Sequence, residues 1–382
     1  MKGRNRRFNE TGQSVIMFIV LLPVFLGILA LALDGGNIYA TRRAAQVAAD
    51  AGALAGAREI CLTGDANIAT DAALDYAINH NRAVTATVTV DAGQVTVETF
   101  IPFQTFIAHY FGQSNITAAG VAEAGCFSPG AGTGILPIAW SCRPPDLGGS
   151  DSEDCDLQYM EPNNTCQLGV DPMYIIVDSP TVADDTVCQD PPNSGTPAGA
   201  VDCDIDDDGI DDLDVLSGGN RSWLDLDGGG GGAGSLSDWI QNGFQDEITI
   251  HTWFAGQTGV AVSVYDTTAD NRLGDIVAIP VFDQYCGGYP NSSCPGLVHP
   301  EDTIVDTGGS STDYFHVISF SAFYVACVDA GSHGPCPVHE ALNLPPNVAS
   351  IEGCFVEGFL PGITGNPSGG VEGGVWTLYL TR

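Results

Sequence analysis

The run Asp202-Cys203-Asp204-Ile205-Asp206-Asp207-Asp208-Gly209-Ile210-Asp211-Asp212-Leu213-Asp214 sets carboxylates at alternate positions and places a glycine in their midst. That spacing suits one hard cation, because Ca²⁺ takes about 6 to 8 oxygen ligands and a glycine lets the loop turn sharply around it. On this rule Asp204, Asp206 and Asp208 are the first ligands, Ile210 gives its carbonyl, and Asp212 or Asp214 closes the shell. Without a cation these carboxylates repel one another, and a solvated acidic loop is the competing reading.

The loop resembles the DxDxDG loops of thrombospondin type 3 repeats and EF-hand-like sites, although Val215 stands where the EF-hand has its bidentate Glu. Other chemistry is thinner. Cys336-Pro337-Val338-His339, with Cys327 and His333 close by, has a CxxH spacing that could hold zinc, but no second tight pair stands at zinc-finger distance. His339-Glu340-Ala341-Leu342-Asn343 lacks the second His of HExxH, Gly228–Gly232 lacks the GK[ST] of a phosphate loop, and no GxSxG occurs. After the strand-like segment ending at Asp178, Pro180 and Val182 occupy the places of both serines in the metal-binding DxSxS of von Willebrand A domains. Seven scattered histidines complete no catalytic constellation, and the expectation is a binding protein rather than an enzyme.

All twelve cysteines lie at or beyond position 61. An even number in an exported body suggests disulfides. Cys286 with Cys294, and Cys327 with Cys336, enclose short Gly/Pro-containing loops, and Cys61 with Cys126 would staple a first small domain.

The elements that must position these groups begin with a membrane segment. Ser14 to Leu33 carries no charge, and Val15 to Leu33 as a helix rises about 28 Å at ~1.5 Å per residue, close to the hydrocarbon thickness of a bilayer. Lys2, Arg4, Arg6 and Arg7 crowd its N-terminal side, which predicts residues 1–13 as a cytoplasmic head and 14–33 as the transmembrane helix. A cleaved signal peptide imitates this layout, with Ala30-Leu31-Ala32 as its cleavage site. Against that, the apolar run exceeds the ~7 to 15 residues of a signal h-region, and helical character continues through the supposed cut.

The net charge of −35 divides unevenly: residues 1–60 hold seven Lys/Arg against four acids, leaving five against 43 in the remainder. So acidic a body repels nucleic acid and anionic lipid, which sets a nucleic-acid role aside.

Residues 34–60 are rich in Ala, the strongest helix former, with Gly35-Gly36 as a hinge if the helix continues from the span. Their small side chains allow close helix–helix approach, hence self-association through this segment, or a stalk lying on its own domain. Residues 61–127 read as a small α+β unit: a helix over 67–80, a hairpin from 84–90 and 94–101, a short helix over 103–111 and a strand over 115–124. Residues 128–382 read as a mainly β exported domain, a sandwich or irregular barrel. Its apolar runs lie at 135–140, 173–178, 248–254, 260–265, 276–282, 315–328, 351–360 and 375–381, with an acidic Cys-rich insertion at 142–234. The fold class is therefore α+β.

Gly12-Gln13, Pro23, Asp34-Gly35-Gly36, Tyr39, Arg42-Arg43, Gln46 and Ala48-Ala49-Asp50-Ala51 together resemble the N-terminal region of TadG-like proteins of the Flp (tight adherence) pilus assembly system. The segments GNRSWLDLDGGGGGAGSLSDWI and TWFAGQTGVAVSVYD are similar to their exported body. The resemblance implies a bacterial, single-pass protein of the cytoplasmic membrane that works with other Tad/Flp pilus components. Met17 stands five residues after Gly12, where type IV pilins carry Glu, so the chain departs from a major pilin. The alternative is a surface adhesin or carbohydrate-binding protein on the same anchor, which exposed Trp or Tyr in a groove of the β body would favour.

Overall fold

The computed structural model describes residues 13–91, 93–141, 157–160, 165–177, 213–217, 223–229, 232–257, 262–289, 303–305, 312–342, 344, 346–364 and 373–381. Its contacts divide the chain into two units, residues 1–126 with 378–382, and residues 127–377.

The first unit is built on α1 (Gln13–Thr63), one helix of 51 residues that passes through Pro23 and through Gly35-Gly36 without a break. No hinge forms there. Beyond the apolar stretch, two adjoining stripes of the helix are buried, Ala45-Ala49-Ala53-Ala57 and Ala48-Gly52-Gly56. Helix α2 (Ala66–Asp75) starts where the Asp65 side chain accepts the Asn67 N–H at 2.7 Å, and it buries Ala69 and Ala73. It ends in a π turn over Tyr76–His80, which buries Ala77.

Strands β1 (Thr85–Asp91) and β2 (Gln94–Gln104) form the expected hairpin, in register from Thr85 opposite Phe100 to Asp91 opposite Gln94. β2 then pairs along its whole length with β3 (Asn115–Phe127). Between them, the helix expected over 103–111 is only a 3-10 turn at Ala108–Phe111, because β2 stays extended to Gln104 to match Asn115. The helix and sheet meet through alanine and valine: Ala49, Ala53, Ala57, Ala73, Ala77, Val95, Val97, Ala122 and Ala124 are fully buried together.

The second unit runs in chain order through β4 (Ala131–Gly132), β5 (Trp140–Ser141), β6 (Met173–Val177), β7 (Leu213–Ser217), β8 (Leu224–Asp225), α3 (Ala233–Asn242), β9 (Ile248–Thr249) and β10 (Thr252–Gly256). It continues with α4 (Val262–Arg272), β11 (Ile276–Tyr289), β12 (Thr303–Ile304), β13 (Thr312–Asp329), α5 (Pro337–Ala341), β14 (Ser350–Val356) and β15 (Ile363–Thr364). The last strand, β16 (Thr377–Leu380), joins the first unit's sheet beside β3, giving the order β1-β2-β3-β16. The apolar run at 375–381 is thus a strand, but one that completes the other sheet.

Among the described residues the second unit is one nine-stranded mixed sheet plus the small sheet β15-β4-β9. It is not an antiparallel sandwich: β6 with β7, β5 with β11 and β10 with β12 are parallel pairs. Long β13 is its spine, paired with β11 along one edge and with β10 and β14 along the other. Residues Tyr314 to Phe323 are all buried, as expected of a central strand covered on both faces.

The strand expected over 260–265 is a correction, since Val262 opens helix α4. Val260, Val262 and Val264 alternate like a strand, yet the residues that become buried are Val264, Tyr265, Thr268 and Ala269, a helical period. Helix α3 packs beside α4, and Arg272 donates from Nε to the Ile240 carbonyl at 2.6 Å and from an η nitrogen to Gln241 at 3.1 Å. A cation thereby satisfies the carbonyl end of α3.

Candidate functional site

From Val15 to Leu33 every residue is exposed except the half-buried Ala30. Its most apolar window has a mean hydropathy of 3.0 with none of it buried, so α1 is long and apolar enough to cross a membrane. Apolar side chains left in water would cost far more than burial in lipid, which makes the bilayer their natural solvent.

Asp34 ends this stretch and is itself only 4% exposed. Its carboxylate accepts three backbone N–H groups from the β2–β3 connection: Phe106 at 2.6 Å, Ile107 at 3.0 Å and Ala108 at 2.7 Å. A carboxylate at the end of the apolar stretch is thus held by oriented amide dipoles, with His109 also favouring its charged form. Below it the connection is closed by Thr105, whose N–H donates to the Ser114 carbonyl at 3.3 Å and whose hydroxyl donates to that of Gln113.

Further along, β2 runs antiparallel to α1 and the contacts climb in register. Thr99 Oγ1 donates to the Ala45 carbonyl at 2.7 Å, and Gln46 Nε2 donates to the Val121 carbonyl and to Asp50, both at 2.8 Å. Gly120 touches the helix backbone: a Cβ there would lie 2.5 Å from the Ala45 carbonyl carbon and oxygen. Val97 and Val95 then meet Gly52 and Gly56. The Cys61–Cys126 disulfide fastens the far end, with Cα atoms 6.0 Å apart.

Of the cation ligands expected from the sequence, Asp204, Asp206, Asp208, Ile210 and Asp212 lie outside the described residues. Asp214 lies in β7, where its backbone is opposite Tyr174 of β6. Cys327 and Cys336 form the expected disulfide, as do Cys61 and Cys126; the bridge removes the thiolates that the zinc alternative needs, and His339 Nδ1 is 3.1 Å from Ser350 Oγ. Cys166–Cys354 forms a further bridge across 188 residues. The pairing of Cys286 with Cys294 falls outside the described residues.

Two polar clusters in the second unit escaped sequence reading. His316 is fully buried, with Nδ1 2.7 Å from Asp283 Oδ1 and its ring stacked on Trp253 at a centroid distance of 5.0 Å. They meet because the β11–β13 register skips at Asp283, Phe282 facing Val317 and Gln284 facing His316. Such a bulge re-aims one side chain, and no sequence spacing reveals it. The second cluster centres on Glu352, fully buried, whose carboxylate accepts the Val338 N–H at 3.0 Å and the His339 N–H at 2.6 Å, capping α5 from another strand. Burial pushes this carboxyl up from 4.5 to about 7; the two N–H groups pull it down, and nearby Asp329 and Glu340 add to the rise. A cavity of about 490 Å³ beside it is lined by Asp329, Pro335, His339, Glu340, Leu344 and Pro346.

Comparison with known proteins converges on α1. Residues 12–59 match the Tad family model, described as Flp pilus-assembly TadE/G-like. Neither a curated protein nor a solved structure matches the chain. The matched stretch contains the apolar span, Asp34 and the alanine stripes of α1.

Proposed function

We propose that the chain is a membrane-anchored component of a Flp-type pilus assembly or secretion machine, acting by structural binding rather than catalysis. The observation that carries this is the coincidence of three things on one helix: the TadE/G-like match at 12–59, an apolar span left exposed by the described residues, and a continuous extension that becomes the core of a folded unit. The basic head lies in the cytoplasm and both units lie outside, where the Cys61–Cys126, Cys166–Cys354 and Cys327–Cys336 bridges persist. The partners are the membrane and other pilus components, and the bare span is the surface for helix–helix contacts within the bilayer.

Exposed Trp or Tyr in a groove of the β body would favour the adhesin alternative. All five tryptophans, Trp140, Trp223, Trp239, Trp253 and Trp376, are buried, so none offers a face for stacking on a sugar, while Tyr379 on β16 is exposed. The Asp204–Asp214 loop as a Ca²⁺ site remains part of the proposal on its carboxylate spacing. Calorimetric titration of the protein with Ca²⁺ tests it, and silence at millimolar calcium rejects it. The assembly role is tested by deleting the gene and imaging pili: loss of pili restored by the intact chain, but not by one lacking residues 14–33, supports it. Normal pili in the deletion strain would reject it.

A further inference from the structure

The connection pinned by Asp34 carries more than a structural bond. Phe106 is 62% exposed and Tyr110 80% exposed, and Tyr39, one and a half turns beyond Asp34 on α1, is 73% exposed. Among the unit's described residues beyond the apolar span these three are the most exposed large aromatic groups, Tyr76 and Tyr379 being 48% exposed, and they call for an explanation because the unit's interior is made of alanine and valine. Their height supplies it. Three N–H bonds of 2.6 to 3.0 Å hold residues 106–108 against Asp34, the first residue after the apolar span, so the connection sits level with the end of that span. Tyr39 lies only ~7.5 Å further along the helix at ~1.5 Å per residue, within the interfacial layer where Tyr and Trp gather in membrane proteins.

Charge agrees with height. From Thr99 to Ala122 the chain has no Asp, Glu, Lys or Arg, in a protein with 47 acids. The connection and the strand ends that flank it therefore carry none of the carboxylates that an anionic headgroup layer would repel. Exposed Arg42 and Arg43 follow at ~12 Å beyond Asp34, a distance from which long cationic side chains reach back to lipid phosphates.

We propose that the Phe106–Tyr110 connection is a second membrane contact, in which Phe106 and Tyr110 enter the headgroup layer of the leaflet that α1 leaves, with Tyr39 beside them. The single span is thereby turned into a two-point attachment that fixes the tilt and rotation of the first unit on the bilayer. This rests on the anchor reading, and the test separates the two. Full-length protein is reconstituted into vesicles of phosphatidylcholine and phosphatidylglycerol that contain lipids brominated either near the glycerol or near the chain ends. Tryptophan emission is compared with the parent for Phe25→Trp in the span, Tyr110→Trp in the connection and Tyr379→Trp on β16.

Tyr379 is the control because β16 pairs near Glu123, towards the Cys126 end of β3 and away from Asp34. All three positions are exposed, so the substitutions fill no core. The expected result is that emission added by Tyr110→Trp falls roughly twofold with bromine near the glycerol, at an interfacial depth of about 5–10 Å. That added by Phe25→Trp falls with both lipids, and that added by Tyr379→Trp with neither. Quenching of Phe25→Trp without any of Tyr110→Trp overturns the second contact while leaving the anchor intact, and returns the aromatic surface to a protein partner. Absence of quenching at Phe25→Trp overturns the anchor itself.

Discussion

Along α1 the first unit meets its sheet with Ala49, Ala53 and Ala57, whereas the second unit fills its interior with Trp140, Tyr174, Phe323 and Phe355, stacked edge to face. The first unit brings backbones together until a glycine is needed at position 120; the second keeps them apart with rings whose centroids are 4.6 to 5.7 Å distant. A small-residue core suits a helix of 51 residues that runs unbroken from its apolar stretch into the folded unit, because it lets a sheet dock on one side of a rigid rod without bending it. An aromatic core suits a free-standing domain with a large sheet to cover. The two should therefore fail in opposite ways, the first when volume is added and the second when it is removed.

The largest effect is expected from Phe355→Ala, which removes a ring in contact with Trp140, Tyr174 and Phe323. A loss of about 3–5 kcal/mol follows for a fully buried aromatic. All five tryptophans belong to the second unit, so their fluorescence reports its denaturation separately from the first. If the loss is under about 1 kcal/mol, the aromatic cluster is not what holds that sheet.

Next comes the acidity of Glu352. Its folded carboxyl is raised to about 7 from 4.5, so between those values the folded chain keeps a proton that the unfolded chain releases. The stabilisation is full below pH 4.5 and is lost as pH rises to about 7, a span worth about 3 kcal/mol at ~1.4 per pH unit. Glu352→Gln should flatten this part of the pH profile of tryptophan-detected unfolding. An unchanged slope would assign the dependence to other groups.

Gly120→Ala is the opposite experiment in the first unit. Its methyl would strike the Ala45 backbone, and overpacking costs about 1–3 kcal/mol. Hydrogen exchange should quicken at amides of β2 and β3 while the tryptophan transition stays put. Quickening in neither strand would show that the helix has room to move away. The smallest change is Asp65→Ala, which removes the α2 cap and costs about 1 kcal/mol. If its cost exceeds that of Gly120→Ala, local capping outweighs close packing in this unit and the contrast between the cores weakens.

How far the sequence could be read follows the same divide. In the first unit the signals are local and strong: an uncharged span, an alanine run and a β-branched hairpin all act within a few residues of themselves. Even there, the role of Asp34 was hidden, since its donors lie 72 to 74 residues away. In the second unit the decisive features are non-local. The Val260–Val264 alternation pointed to a strand because the helical burial of Thr268 and Ala269 depends on what α4 packs against. The Asp283–His316 contact depends on a bulge, and Cys166 finds Cys354 only through the pairing of β6 with β14. Short loops made Cys327–Cys336 legible for the converse reason.

The central claim is that α1 stays in the membrane as an anchor and is not removed as a signal. Intact mass of the protein extracted from bacterial membranes tests it most directly. The account predicts a membrane-bound chain that keeps residues 2–33, with Met1 retained or lost and each disulfide lowering the mass by two hydrogens. A soluble chain whose mass begins just after the Ala30-Leu31-Ala32 segment would contradict it.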